Sequence, residues 1–193
     1  MSKRNIPLCP IKPFERVMVF IDGGYLRGLH KQYYKHDNID FGKLFQIIHQ
    51  MYATIPGYPF QLNLLGIYYY DAIVDVREKE YAKQLAYFER ELNRMWYIVR
   101  LGKLVKIPEQ GFKQKGVDIL MAIDAVSKAY QNQYDMAIFV VGDADFVPLI
   151  EAVKNAGKKT ILIYHQEHVT FELKHSAHMN IGFNTDAMKD WSK

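Results

Sequence analysis

MAIFVVGDADFVPLIEAVKNAGKKTILIY, residues 136–164, decides the fold. Met136–Val141 is a continuous apolar run, the pattern of a strand covered on both faces, and it stops at Gly142-Asp143. A helical stretch comes next, from about Phe146 to Ala156, with Gly157 placed to cap its C-terminus. Thr160–Tyr164 is the next buried strand. Strand, helix, strand within one short segment is a parallel βαβ unit, because a crossover of this length returns the chain in the same direction.

The same pattern extends outward. Val17–Ile21 (VMVFI) is another buried strand, interrupted at Asp22-Gly23-Gly24, with a helix starting soon after. Phe41, Leu44, Phe45, Ile47 and Ile48 give a helical stripe over about Asp40–Met51. Leu62–Tyr70 is β-prone and runs into Asp71, and Val76–Met95 reads as a long amphipathic helix. Tyr97–Leu101 and Leu104–Ile107 flank Gly102 as a bent strand or a hairpin, and Pro108–Gly116 reads as a loop. Val117–Tyr130 is a helix, and a short helix and a small strand near Asn180–Phe183 precede the end. The expected fold is α/β and doubly wound: a mainly parallel sheet of about five strands with helices on both faces. Residues 1–15 read as an extended arm, 16–183 as one domain and 184–193 as a polar tail.

Bulk properties agree with one such domain. The 193 residues are 49% hydrophobic and 24% charged, enough apolar material for a core without the signature of disorder. No apolar run reaches the roughly 18 residues of a membrane span, and MSKRNIPLCPIKPFER lacks the apolar segment of a signal peptide. One cysteine, Cys9, cannot make an internal disulfide, which fits a reducing cytoplasm. The net charge of +4 only mildly favours an anionic partner.

In parallel sheets the ligand crevice lies beyond the carboxyl ends of the strands. Asp22 follows VMVFI, Asp71 follows GIYYY, Asp143 follows IFVV after one glycine, and Asp145 stands two residues on. Asp118, at the start of the 117–130 helix, can approach the same rim. Carboxylates held within about 4–6 Å repel one another, and a divalent cation offsets that cost. Mg²⁺ suits an all-oxygen pocket and Mn²⁺ accepts the same ligands; either can polarise a phosphoryl group and activate water. Plainer readings exist: Asp145 as a helix N-cap, Asp71 as a surface turn residue, Asp22 as part of a glycine turn. Asp124, six residues beyond Asp118, lies roughly 9 Å along the helix and roughly 120° around it, so it reads as a more distant acid.

Three blocks resemble the NYN family, a branch of the PIN-like nucleases, and in particular its LabA-like bacterial group. They are VFIDGGYL at 19–26, KGVDILMAIDAV at 115–126 and FVVGDADFVPLIEAVKNAGKKTIL at 139–162, with YYYDA at 68–72 also similar. The resemblance implies a PIN-like sheet and a metal-dependent ribonuclease site. By motif position it makes Asp22, Asp118, Asp143 and Asp145 the catalytic, metal-holding acids, and Asp124 the second acid of the KGVD block. The family often has Asn where this chain has Tyr25, which changes one polar contact at the site.

Lys113 and Lys115, just before Asp118, are candidate phosphate contacts, and Tyr25 beside Asp22 is a candidate substrate contact. Lys103, Lys106, Arg94 and Arg100 could extend a basic track, with Lys158 and Lys159 on another face; for any single lysine a solvated surface is the preferred explanation. Tyr68–Tyr70 and Trp96-Tyr97 read as core aromatics before stacking platforms. His165-x-x-His168 and His175-x-x-His178 have spacings seen in zinc sites, but with no supporting cysteine they read as surface or packing residues. The sequence therefore points to a Mg²⁺- or Mn²⁺-dependent nuclease acting on RNA. The alternative is a non-catalytic RNA-binding or regulatory module of the same fold. A homo-oligomer is compatible with either. A receiver-like domain lacks its adjacent acidic pair after the first strand, and a dinucleotide site lacks G-x-G-x-x-G there.

Overall fold

A computed structural model describes residues 14–53, 61–92, 97–107, 109 and 111–192. The strands are β1 (Phe14–Asp22), β2 (Gln61–Ile73), β3 (Tyr97–Ile107), β4 (Gly111–Lys115), β5 (Met136–Val140), β6 (Lys159–His165) and β7 (Met179–Phe183). The helices are α1 (Gly23–Tyr34), α2 (Phe41–Ala53), α3 (Tyr81–Leu92), α4 (Val117–Tyr130), α5 (Val147–Asn155), α6 (Phe171–Ser176) and α7 (Thr185–Met188). Short 3₁₀ turns lie at Ala144–Phe146 and Lys189–Trp191. One sheet has the order β4-β3-β2-β1-β5-β6-β7, parallel throughout except for β4 against β3.

The α/β class and the helices on both faces match expectation. The strand number does not: there are seven, not about five. β3 runs unbroken through Gly102, and the expected loop after it is strand β4, whose residues pair from Gly111 to Lys115. That short, Lys-rich stretch lacks the apolar run by which buried strands are recognised, since an edge strand needs no apolar cover on both sides.

Alternation along β1 explains the two-sided core. Val17, Val19 and Ile21 enter the cluster under α1, α2 and α3, while Met18 and Phe20 enter the one under α4, α5 and α6. Helix α3 starts at Tyr81 rather than Val76, because Val76–Glu80 turns back on Asp75: the Asp75 side chain accepts from the Arg77 amide at 3.1 Å, and Tyr81 N donates to Glu78 O. Residues 93–95 of the expected helix lie outside the described residues. Phe14 and Glu15, assigned to an N-terminal arm, belong to β1, and Glu15 is buried against Lys159 at 2.9 Å. Residues 1–13, with Cys9, lie outside the described residues, as do Arg94 and Trp96.

The expected C-terminal tail is corrected as well. Residues 185–191 form helical turns, and Trp191 is 1% exposed, its ring set edge-on to Phe183 at 5.4 Å. The Asp40 amide donates to Trp191 O at 2.8 Å, tying this end to the start of α2. The indole nitrogen is buried with no hydrogen-bond partner, so the ring's contribution is packing. Trp191→Ala is therefore expected to cost about 3–5 kcal/mol in a urea melt, and Trp191→Phe much less. Equal, small losses in both would show that the C-terminal turns are not part of the core.

Candidate active site

Strands β1 and β5 are hydrogen-bonded neighbours, with Ile21 level with Val140. Their carboxyl ends deliver Asp22 and Asp143 to one rim. Each acid caps the helical turn directly after it: an Asp22 oxygen accepts from the Tyr25 amide at 3.1 Å, and an Asp143 oxygen accepts from the Asp145 amide at 3.1 Å. The N-cap of the second turn is thus Asp143, which leaves the Asp145 side chain exposed in the first turn. Asp118 stands exposed in the first turn of α4, just beyond Gly116 in a left-handed conformation. Among the described residues, nothing donates a hydrogen bond to the Asp118 or Asp145 carboxylate.

Two glycines allow the rim to close. A Cβ on Gly142 would fall 2.1 Å from the Tyr25 ring, and one on Gly23 would fall 2.3 Å from the Tyr69 ring. Neither glycine has positive φ. The need is close approach between elements rather than the relief at a turn that the sequence had implied.

The electrostatics tie the four acids together. Burial pushes the Asp22 carboxyl up to about 7 against the opposing bond from Tyr25, and the charges of Asp118 and Asp71 raise it further. Asp118 is raised first by burial, then by the charges of Asp143 and Asp145. Charges act this way only at close range, so Asp22, Asp118, Asp143 and Asp145 share one field. Asp22 and Asp143 line a cleft of about 590 Å³, together with Tyr25, Gln32, His168 and Thr170.

The remaining acids sit differently. Asp71 does not end its strand, which continues to Ile73, and it is no surface turn residue: it is fully buried. It is ion-paired to Arg27, and it accepts from its neighbour Ala72 N at 2.7 Å and from Gln114 Nε2 at 3.3 Å. Burial raises its carboxyl and Arg27 opposes the rise. Asp71 therefore borders the rim with its charge already compensated. Asp124 is also buried and satisfied, by Arg100 Nε at 2.9 Å, Tyr70 Oη at 3.0 Å and Lys128 at 3.9 Å. Arg100 is thereby committed to that pair.

Tyr25 lines the cleft, and its hydroxyl accepts the His165 amide at 2.8 Å, linking α1 to the end of β6. Lys113 and Lys115 are exposed on β4, not in a loop; they lie opposite Val105 and Lys103 and share one face. Alternation puts Gln114 on the other face, where it reaches Asp71. Gln114 and Arg27 were missed, because neither breaks a hydrophobic pattern; strand alternation in 111–115 was the available signal. Lys158 and Lys159 bond Asn132 and Glu15 at the opposite end of the sheet. Tyr69 and Tyr70 are core residues. His178 is bonded to Thr160 and His175 packs on Phe171, whereas His165 and His168 do converge.

A parallel sheet with uncompensated aspartates converging on its C-terminal rim is the arrangement of a PIN-like nuclease domain. The chain belongs to the NYN family of that class: the NYN domain model matches residues 16–182. A stretch of 66 residues is 39% identical to an uncharacterized protein of Methanocaldococcus jannaschii, covering 32% of this chain and 28% of that one. The chain thus spans under a third of that relative's length. The fold is similar to that of a Vibrio parahaemolyticus protein of unknown function, with a TM-score of 0.63 at 17% identity, over 89% of this chain and 94% of that one. Among the described residues, no helix is long and apolar enough to cross a membrane.

The raised Asp22 has a thermodynamic consequence. Its folded value of about 7 lies above the ordinary aspartate value near 3.9, so between these the folded state holds the proton more tightly than the unfolded state does. Its contribution to stability is therefore full below about pH 4 and declines as pH rises to about 7 in metal-free protein. Urea melts in EDTA should show Asp22→Asn gaining stability relative to wild type between pH 4.5 and 7.5. A pH-independent difference would show that burial does not raise the Asp22 carboxyl.

Proposed function

We propose that this protein is a divalent-metal-dependent ribonuclease that hydrolyses phosphodiester bonds at the Asp22–Asp143 rim. The observation that carries the proposal is the convergence of four carboxylates with no basic partner among the described residues, with Asp22 raised, first by burial and then by Asp118 and Asp71, to about 7. The donor set fits a hard divalent cation: all oxygen, exposed at Asp118, Asp143 and Asp145, and anchored at Asp22 and Asp143 by backbone amides. Mg²⁺ or Mn²⁺ held there would supply charge neutralisation at the phosphoryl group and activation of the attacking water.

The chain's own residues have separable parts in this reading. Asp22 and Asp143 are fixed by their capping bonds and hold the site's geometry. Asp118 and Asp145, free of internal hydrogen bonds, can adjust to the ligand, and either can accept the proton of the attacking water. Tyr25 acts as a positioning residue, bracing Gly142 against α1 while one edge faces the substrate. Lys113 and Lys115 meet the phosphate backbone outside the rim and supply affinity without reading sequence. A cytoplasmic location belongs to the same proposal and rests on the single cysteine.

Labelled RNA, single-stranded and structured, and matching DNA, incubated with Mn²⁺, Mg²⁺ or EDTA, test the reading. Cleavage of RNA is expected only with metal, and Asp143→Asn, purified identically, should reduce it by roughly 100-fold or more. Salt-sensitive RNA binding without cleavage by folded protein would favour the non-catalytic module, a reading supported by the commitment of the Tyr25 hydroxyl to His165. Separately, Lys113→Ala with Lys115→Ala should weaken RNA binding and lower the slope of log affinity against log salt by about 1–2. An unchanged slope would remove both lysines from the interface.

A further inference from the structure

We infer that the turn at residues 165–168 builds a second metal site, distinct from the aspartate rim, which takes a zinc-like divalent cation through His165, Glu167 and His168. One ligand atom from each of the three lies within 4.8 Å of the others. Ligands about 2.0–2.2 Å from a tetrahedral zinc are about 3.2–3.6 Å apart. The set is therefore within about 1.5 Å of closing, and Glu167 is exposed and can rotate inward. All three ligands come from one turn, closed by the His168 amide donating to His165 O at 3.0 Å. Little chain entropy is lost in bringing them together.

The surroundings suit ligation. His165 is fully buried, and its Nε2 lies 3.2 Å from Thr185 Oγ1, the kind of outer partner that orients a ligating imidazole. Its Nδ1 lies within the turn and accepts from the Glu167 amide at 3.3 Å, a bond that a cation at Nδ1 would replace. The Tyr33 hydroxyl donates to Glu167 at 2.7 Å and lies 2.8 Å from His168 Nε2, which brings a residue of α1 to the open fourth position. Packing against Tyr33 and Phe183 accounts for the burial of His165 alone. The Tyr33 hydroxyl gathers the Glu167 carboxylate and the His168 ring at one point, the point a cation would share.

Two nitrogens and one carboxylate favour Zn²⁺ or Co²⁺ over Mg²⁺, whereas the rim is oxygen only. The two sites are thus separable by metal. His168 also lines the cleft that holds Asp22 and Asp143, so a cation here would lock α1 to the turn after β6 and fix that part of its lining. The site stands whether or not the rim cleaves RNA.

The test is calorimetric titration of metal-stripped full-length protein with Zn²⁺, and with Co²⁺ followed by visible absorption. The background carries Asp143→Asn and Asp145→Asn to silence the rim. One equivalent of Zn²⁺ should bind, Co²⁺ should give the intense visible bands of a low-coordinate site, and excess Mg²⁺ should compete for neither. Glu167→Gln and His168→Asn, both accessible and each checked for an unchanged fold by circular dichroism, should weaken Zn²⁺ binding more than about tenfold. No stoichiometric Zn²⁺ binding, or binding that persists in both variants, would overturn the inference.

Discussion

The convergence of carboxylates at the ends of β1 and β5 is the constraint around which the rest of the molecule is arranged. Parallel strands in register end level with each other, so an acid after each is forced to the same edge whatever the preference of the side chains. The cost is carried by the sheet beneath, where Val19, Phe20, Ile21, Ile138 and Phe139 are fully buried and cannot shift to let the rim spread. Held in place in this way, Asp22 and Asp118 are raised first by burial and then by neighbouring carboxylates, a state that a bound proton or a bound cation would relieve.

Partnering separates the acids of the site from the acids of the scaffold. Asp71 has Arg27, Asp124 has Arg100 and Lys128, Asp135 has Arg16, and Glu15 has Lys159. All but Asp124–Lys128, which lies within α4, join segments distant in the chain, and each leaves little unbalanced charge. At Asp22, Asp118, Asp143 and Asp145 the compensation stops short: two accept a backbone amide each, and two accept nothing from the described residues. Stability alone gives no reason to leave four carboxylates in that state beside a cleft. Affinity for a cation does.

This distinction also marks how far the sequence could be read. VMVFI, MAIFVV and TILIY announce buried parallel strands because their apolar runs allow no other environment, and that places the acids after two of them at the rim. Helix geometry alone separated Asp124 from Asp118. Asp71 misled, because YYYDA looks like a strand ending at an acid, whereas β2 continues to Ile73 and its partner Arg27 lies 44 residues away. Such ion pairs have no local signature. The same holds for β4, an edge strand without an apolar face, and for the C-terminal turns, where one buried tryptophan outweighs a polar surround. The convergence of Glu167 with two histidines depends on side-chain directions within a single turn, which spacing alone does not specify.

Crystals grown metal-free and soaked in Mn²⁺, with anomalous differences recorded at the manganese edge, test the central claim most directly. A peak is expected at the rim, with oxygens of Asp22 and Asp143 at about 2.0–2.4 Å and with Asp118 or Asp145 drawn inward to complete the shell. A rim without manganese, its four carboxylates instead bonded among themselves by shared protons, would contradict it.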